Sequence, residues 1–306
     1  MTMLKPLADN YNYYPRTMIR LCEISYQKFP DIPAAVQGLG LELVWGPAEL
    51  RSIFDVSYSL MFICRNSQTD EYTVVVRGTN MDSVESWFME DFDIDTTQPF
   101  VRLAPHAPAN ALIAQGTFNG MKDLLKLTDP STSLGAVPFL QSAKPTYLYV
   151  TGHSLGGTLS PPMFACLNDL LYGGGFVHNM ALWTFAGLTP GASGFNTYFN
   201  GLFNPEYQWR LHNTLDIAPF CWWSPSDIES IYQSYGLKSG WLDDEAIKHL
   251  FVDAAKIGYA QPVGEQALAG VFNKSILDDD LWVAQAAHQH ASATYRTLVD
   301  QAFPMP

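Results

Sequence analysis

Apolar and polar positions switch along this chain between a period near two and a period near four residues, which predicts alternating strands and helices. The runs Tyr58 to Cys64, Tyr72 to Arg77, Thr146 to Val150, Met180 to Phe185 and Tyr207 to Leu211 are apolar, β-branched or aromatic and closed by polar or glycine residues. They read as strands. Several are apolar on both faces, as in the central strands of a mostly parallel sheet covered by helices on each side and joined by right-handed crossovers.

The helical stripes lie between and around these strands. Met18, Leu21, Cys22, Ser25 and Phe29 share one face after Pro15, a residue favoured in a helix's first turn. Ile247, Leu250, Phe251 and Ala254 form a second stripe that stops near Gly258, and Met121, Leu124 and Leu125 mark a third. Leu155 to Leu171 predicts a fourth, ending at Gly173, Gly174 and Gly175. Pro161 and Pro162 fall inside it and predict a kink, because a proline within a helix costs about 3 kcal/mol or more. There is no internal repeat, low-complexity tract or obvious linker, so residues 1–306 read as a single α/β domain.

Composition narrows the partners. The 306 residues are 47% apolar and 15% charged, enough for one large core. Thirty acidic side chains against 17 basic ones give a formal charge of -13, which repels phosphate backbones and argues against nucleic acid. A neutral substrate meets no such barrier. No apolar run approaches the ~20 residues of a membrane span. Lys5, Asp9 and three tyrosines occupy Met1 to Tyr14, where a secretory signal needs an uninterrupted apolar stretch. The chain as encoded therefore reads as cytoplasmic, with secretion left open. Cys22, Cys64, Cys166 and Cys221 are far apart and fit buried thiols better than a disulfide framework or a metal site.

The strongest chemical signal is Thr146 to Val150 followed by Thr151, Gly152, His153, Ser154, Leu155, Gly156 and Gly157: a strand, a G-x-S-x-G pentapeptide, then a helical pattern. The pentapeptide alone arises by chance in about one chain in ten of this length, so its context carries the weight. A serine hydroxyl is an effective nucleophile when it projects from a sharp, strained turn toward a base, and Gly152 and Gly156 supply the absent Cβ atoms. Leu155, opening the helix, turns its N-H toward an incoming oxyanion.

Here the sequence resembles the class 3 lipase family of α/β-hydrolases, in which G-H-S-L-G-G is the characteristic elbow. Tyr72 to Thr79, Y-T-V-V-V-R-G-T, is similar to the family's strand ending in R-G-[ST]. Thr184 to Gly191, T-F-A-G-L-T-P-G, is similar to its T-F-G-x-P-R-x-G turn but lacks the arginine. Arg210 to Phe220, R-L-H-N-T-L-D-I-A-P-F, resembles its R-x-x-N-x-x-D-x-V-P segment. The resemblance implies an α/β-hydrolase fold, a mostly parallel sheet with a lid or cap insertion, and a Ser-Asp-His ester hydrolase without a cofactor. It assigns Thr79 to the oxyanion hole, beside Leu155.

Ser154 needs an imidazole, and that imidazole a carboxylate. Asp216 follows Tyr207 to Leu211 and so falls beyond a strand's carboxyl end, where α/β sheets place their sites. The resemblance makes it the triad's acid. His288 and His290 are rivals for the base. His290 is favoured because Q-H-A-S-A-T-Y, Gln289 to Tyr295, is similar to the terminal Q-H-x-x-x-x-Y of some class 3 lipases. His153 belongs to the elbow and reads as structural.

Met81, Val84, Trp87, Phe88 and Phe92 make an apolar helical face just after Thr79, where class 3 lipases carry a lid. Residues 80–100 are accordingly the lid candidate, with Trp87 and Phe88 as substrate contacts at a lipid-water interface. Phe220, Trp222 and Trp223 fit the mouth of an apolar pocket or ordinary core equally well. The stretch from Asp216 to His290 exceeds any loop, so residues 222–285 are read as a cap-like insertion. Asp91, Asp93, Asp95 and Asp278 to Asp280 lack the spaced ligands and glycine of a calcium loop, and no metal is expected. The expected reaction is hydrolysis of lipid or other carboxylic esters, with triacylglycerol lipase favoured. Alternatives are a short-chain carboxylesterase, a phospholipase A1, or a lipase-like binding protein whose triad is idle.

Overall fold

The strands β1 (Glu42–Arg51), β2 (Ser57–Asn66), β3 (Glu71–Val76), β6 (Tyr147–His153), β7 (Met180–Phe185), β8 (Gln208–Asn213) and β9 (Glu265–Leu268) form one sheet in that spatial order. A separate two-stranded ladder joins β4 (Thr97–Pro99) to β5 (Leu112–Ala114). This computed structural model describes residues 13–51, 57–78, 93–175, 178–203, 205–238, 245–278 and 280–305. From β3 through β9 the sheet pairs are parallel, while β1-β2 and β2-β3 are antiparallel. The continuous apolar runs are the central strands: all six residues of β3, β7 and β8 are buried. Both faces being covered leaves no polar face for alternation to mark.

Ten α-helices complete the described chain: α1 (Tyr13–Ser25), α2 (Ile32–Gly38), α3 (Gln115–Lys126), α4 (Ala136–Ala143), α5 (Leu155–Tyr172), α6 (Ser193–Asn200), α7 (Pro225–Ser230), α8 (Glu245–Ile257), α9 (Leu281–His290) and α10 (Ser292–Ala302). Alternation along β6 assigns two of them to opposite faces. Tyr149 and Thr151 meet Tyr14 and Cys22 of α1. Gly152 points the other way, against the first turn of α5. A two-pronged Arg20-Asp300 ion pair, at 2.8 and 3.0 Å, fastens α1 to α10.

Pro161 and Pro162 lie inside α5, which runs unbroken from Leu155 to Tyr172. Every residue from Gly156 to Asp169 is buried, so packing around the helix outweighs the two lost backbone bonds. The edge strands escaped the sequence pattern. Gly46-Pro47 lies within β1 and reads as a turn, yet Pro47 is tolerated there because an edge strand with a register shift spares one donor. In the short β9 only Leu268 is buried.

A second apolar cluster, with Leu215, Ile217, Trp222, Ile228, Tyr232, Ala254, Trp282 and Ala286, lies outside the main core. Within the stretch 222–285, α7 and α8 supply part of this cluster, but β9 is an edge of the central sheet. The part of the lid candidate that is described, 93–100, is tied down. Gly116 N-H donates to Asp93 O, Tyr259 Oη to Ile94 O and Gln115 N-H to Thr96 O, and Phe100 is fully buried. Residues 80–92 lie outside the described residues. All four cysteines are buried free thiols. Among the described residues no helix is long and apolar enough to cross a membrane.

Candidate active site

Ser154 stands at the junction of β6 and α5 with φ 60° and ψ -129°, a backbone conformation that L-residues avoid. Its own N-H donates to Phe185 O at 3.0 Å and its carbonyl accepts from Thr158 N-H at 3.0 Å, which hold the turn. The approach of helix to strand leaves no room at two positions. A Cβ on Gly152 would lie 2.2 Å from Gly156 O, and one on Gly156 2.2 Å from Val76 O. Glycine is therefore obligatory at both.

The base comes from the far end of the chain. His290 Nε2 lies 2.8 Å from Ser154 Oγ, while His290 Nδ1 lies 2.9 and 3.1 Å from the two carboxylate oxygens of Asp216. A carboxylate only accepts, so Nδ1 carries the proton and Nε2 is free to accept from the serine hydroxyl. Asp216 occupies the loop after β8, at the carboxyl end of the sheet. Its side chain is fully buried, and its remaining acceptor capacity goes to Ala218 N-H at 3.0 Å and Tyr295 Oη at 2.7 Å. Three donors, the His290 N-H shared between both oxygens, Ala218 N-H and the Tyr295 hydroxyl, offset the cost of burying the carboxylate.

Of the two rival histidines, only His290 reaches Ser154. His288 is half-buried two residues away, its Nε2 3.3 Å from Asn273 Nδ2. Leu155 opens α5 as expected, and its N-H, at the first helical position, has no acceptor within the helix. Thr79, Trp87 and Phe88 lie outside the described residues.

Around Asp216, Trp222 is not at a pocket mouth. It is 1% exposed, adopts φ 77° and packs on Phe251 within the second cluster, the core alternative of the two. Phe220 is half-buried, edge-on to His212 and stacked on the more exposed Trp223. In the acidic run near the C-terminus, Asp280 accepts from Val283 N-H and caps the start of α9, the helix that ends in His290. No group of side chains suited to a metal ion occurs among the described residues.

Two supports of the site carried no clear signal in the sequence. Tyr295 was visible only as the end of a motif, and Asn213 only as part of one. Tyr295 Oη accepts from Asn213 N-H at 3.0 Å and turns its proton to Asp216. Asn213 Nδ2 also donates to Gln289 O at 2.8 Å. Such long-range pairing has no local periodicity to betray it.

A mostly parallel sheet with a strained serine between strand and helix, backed by His290 and Asp216, defines a serine hydrolase of the α/β-hydrolase fold. No protein-family model matches the chain, and no curated protein matches it by sequence. Among solved structures it is similar to M37 lipase, at 25% identity over 95% of each chain with a TM-score of 0.78. It is also similar to the nonglycosylated LIP2 lipase of Yarrowia lipolytica, at 18% identity over 85% of this chain and 80% of that one, TM-score 0.57. A third likeness is to a triacylglycerol lipase whose catalytic centre is a serine protease triad, at 16% identity over 87% and 82%, TM-score 0.56. The last two bear on the fold alone.

Proposed function

We propose that this chain is a triacylglycerol lipase of the class 3 kind, hydrolysing lipid carboxylic esters through Ser154, His290 and Asp216. The observation that carries the reading is the unbroken hydrogen-bond line from Ser154 Oγ through the His290 ring to Asp216, closed at 2.8 and 2.9 Å. The lipase likeness over 95% of each chain supports the ester as substrate.

In this reading His290 Nε2 takes the Ser154 proton as Oγ bonds to the ester carbonyl carbon, and the carbonyl oxygen becomes an oxyanion. Backbone N-H groups of Leu155 and Thr79 receive that charge, with the Thr79 hydroxyl as a further donor. Collapse breaks the carbon-oxygen bond to the alcohol, which leaves with the proton from His290. Water then attacks the acyl-Ser154 ester, again giving its proton to His290, and the fatty acid departs as Ser154 recovers its hydrogen. Asp216 holds the imidazole's tautomer and stabilises the imidazolium throughout.

Ser154 is 2% exposed, and in this reading a lid and a cap control the access of the acyl ester to it. Within the lid candidate, residues 80–100, Trp87 and Phe88 are our substrate contacts at a lipid-water interface. The helical part of 222–285 is our cap, with Phe220 toward the pocket.

An organophosphonate probe tests the reading. Mass spectrometry is expected to find its adduct on Ser154 in the wild type and none in Ser154→Ala. A wild type left unlabelled would instead identify an idle, lipase-like binding protein. A chain-length series then names the substrate: preference for long-chain emulsions is expected, and activity confined to short soluble esters would replace lipase by esterase.

A further inference from the structure

His153, the residue just before Ser154, is held on both ring nitrogens. Its Nε2 lies 2.8 Å from the main-chain carbonyl oxygen of His290 and its Nδ1 3.0 Å from the Tyr26 hydroxyl. A carbonyl oxygen only accepts, so Nε2 carries the proton and Nδ1 is an acceptor, sharing the Tyr26 hydroxyl proton with the His153 carbonyl oxygen 3.2 Å from that hydroxyl. The ring is 4% exposed and packs against those of His290 and Tyr295, with centroids 5.0 and 5.5 Å away. Burial, reinforced by the neighbouring His290, lowers its pKa to about 3. It is neutral wherever His290 works as a base.

The acceptor gives this contact its meaning. His290 is the last residue of α9, and the last four carbonyls of a helix have no partners within it. Side chains from three other elements supply donors at this end. The Thr294 hydroxyl of α10 donates to His288 O at 2.6 Å, Asn213 of β8 to Gln289 O at 2.8 Å, and His153 of β6 to His290 O. The donor to the proposed base's own main chain is thus the neighbour of the proposed nucleophile.

We infer that His153 is a positioning residue, clamping the backbone of His290 to the end of the strand that presents Ser154. The inference rests on the reading of Ser154 and His290 as nucleophile and base. The two are 136 residues apart, and the clamp fixes their separation by a path that does not pass through the reacting hydrogen bond. Without it the last turn of α9 keeps its anchors at His288 O and Gln289 O but the His290 carbonyl loses its donor, and small displacements of a catalytic group cost rate steeply. Acylation and deacylation both need His290, so both slow together. The predicted signature is a fall in kcat at nearly constant KM.

The test uses the full chain, a soluble p-nitrophenyl ester and turnover per active site titrated with a phosphonate. His153→Phe keeps a flat ring without N-H, and His153→Gln keeps a donor near the reach of Nε2. The Phe variant is expected to lose ~10- to 100-fold in kcat with KM within about twofold, and the Gln variant to regain most of it. Normal turnover per titrated site in the Phe variant overturns the clamp, even if less protein folds. So does a Gln variant no better than Phe. Should the Phe variant yield no folded protein, His153→Leu, which also lacks the donor, carries the test, with the same loss in kcat expected and normal turnover per titrated site overturning the inference. A wild type that takes no phosphonate overturns the hydrolase reading itself, and the clamp with it.

Discussion

The Tyr295 phenol donates to Asp216 Oδ2 across 2.7 Å, and the same oxygen lies 2.9 Å from His290 Nδ1. Asn213 N-H occupies a lone pair of that phenol, which commits its single proton to the carboxylate. Tyr295 is completely buried, and burial with Asp216 beside it pushes its own pKa well up, so the proton stays on the phenol. Tyr295→Phe removes one of three donors from a carboxylate sealed from water. The expected cost is about 1.5–3 kcal/mol of stability, the range for hydrogen bonds to charged groups, read from the urea midpoint. Activity on a soluble ester is expected to fall about tenfold by our estimate, against roughly 10⁴-fold for Asp216→Asn, which loses the tautomer control itself. A Phe variant with unchanged midpoint and turnover would remove Tyr295 from the support of Asp216.

Ser154 offers a trade between stability and activity. At φ 60° a serine holds strain of about 1–3 kcal/mol that glycine would not carry. Ser154→Gly also loses the hydrogen bond to His290, worth about 1 kcal/mol net. The balance favours the variant by about 1 kcal/mol, or roughly 2 °C in Tm, while hydrolysis disappears. Calorimetry of the two proteins decides it. A lower Tm for the glycine variant would mean that the turn is not strained.

Gly152→Ala and Gly156→Ala are expected to act in the opposite sense. Each new methyl would sit 2.2 Å from a main-chain oxygen, where no flexible side-chain end can yield. Opening the strand-helix junction is expected to cost at least about 3 kcal/mol, beyond ordinary overpacking, because backbone rather than side chains must move. Gly173→Ala is the control. Nothing lies within 4 Å of its added Cβ, so only the left-handed backbone is disfavoured there, at about 1 kcal/mol. Equal melting temperatures for all three variants would refute the close-approach argument.

What the sequence disclosed and what it hid follow from the range of the interactions. β7 matches its expected bounds, Met180–Phe185, because a strand buried on both faces is one unbroken apolar run. Ser154 and Asp216 were legible because each lies at a strand end inside a recognisable segment, and His290 because a C-terminal motif favoured it over His288. β1 was hidden by Gly46-Pro47, a turn signal on an edge strand, whereas α5 was legible from its apolar run despite two prolines whose cost the surrounding packing overrides. Trp222 illustrates the limit of composition. An aromatic after the acid loop suits a pocket or a core equally, and only its packing against Phe251 distinguishes them. The link from His153 to His290 was invisible because neither residue type nor spacing encodes a carbonyl at the end of a distant helix.

The neutral state of His153 also gives stability a pH dependence with a definite sign. In the unfolded chain this imidazole titrates near 6.5, and in the folded protein burial lowers its pKa to about 3. Between those values the unfolded state binds a proton that the folded state refuses, so stability is retained above pH 6.5 and lost as the pH falls through the window. Each pH unit descended costs up to about 1.4 kcal/mol. His212, also lowered by burial and then by Arg210, contributes in the same direction, so the wild-type slope alone does not isolate His153. His153→Gln does. Its unfolding free energy in urea, followed from pH 6.5 to 4.5, is expected to fall less than the wild type's by about 2.3 kcal/mol. Parallel curves for the two proteins would show that the ring takes up its proton in the folded state after all. The Nε2-to-carbonyl geometry itself would survive that result, since Nε2 carries a proton in either state, but the hydrogen bond from Tyr26 to Nδ1 would not.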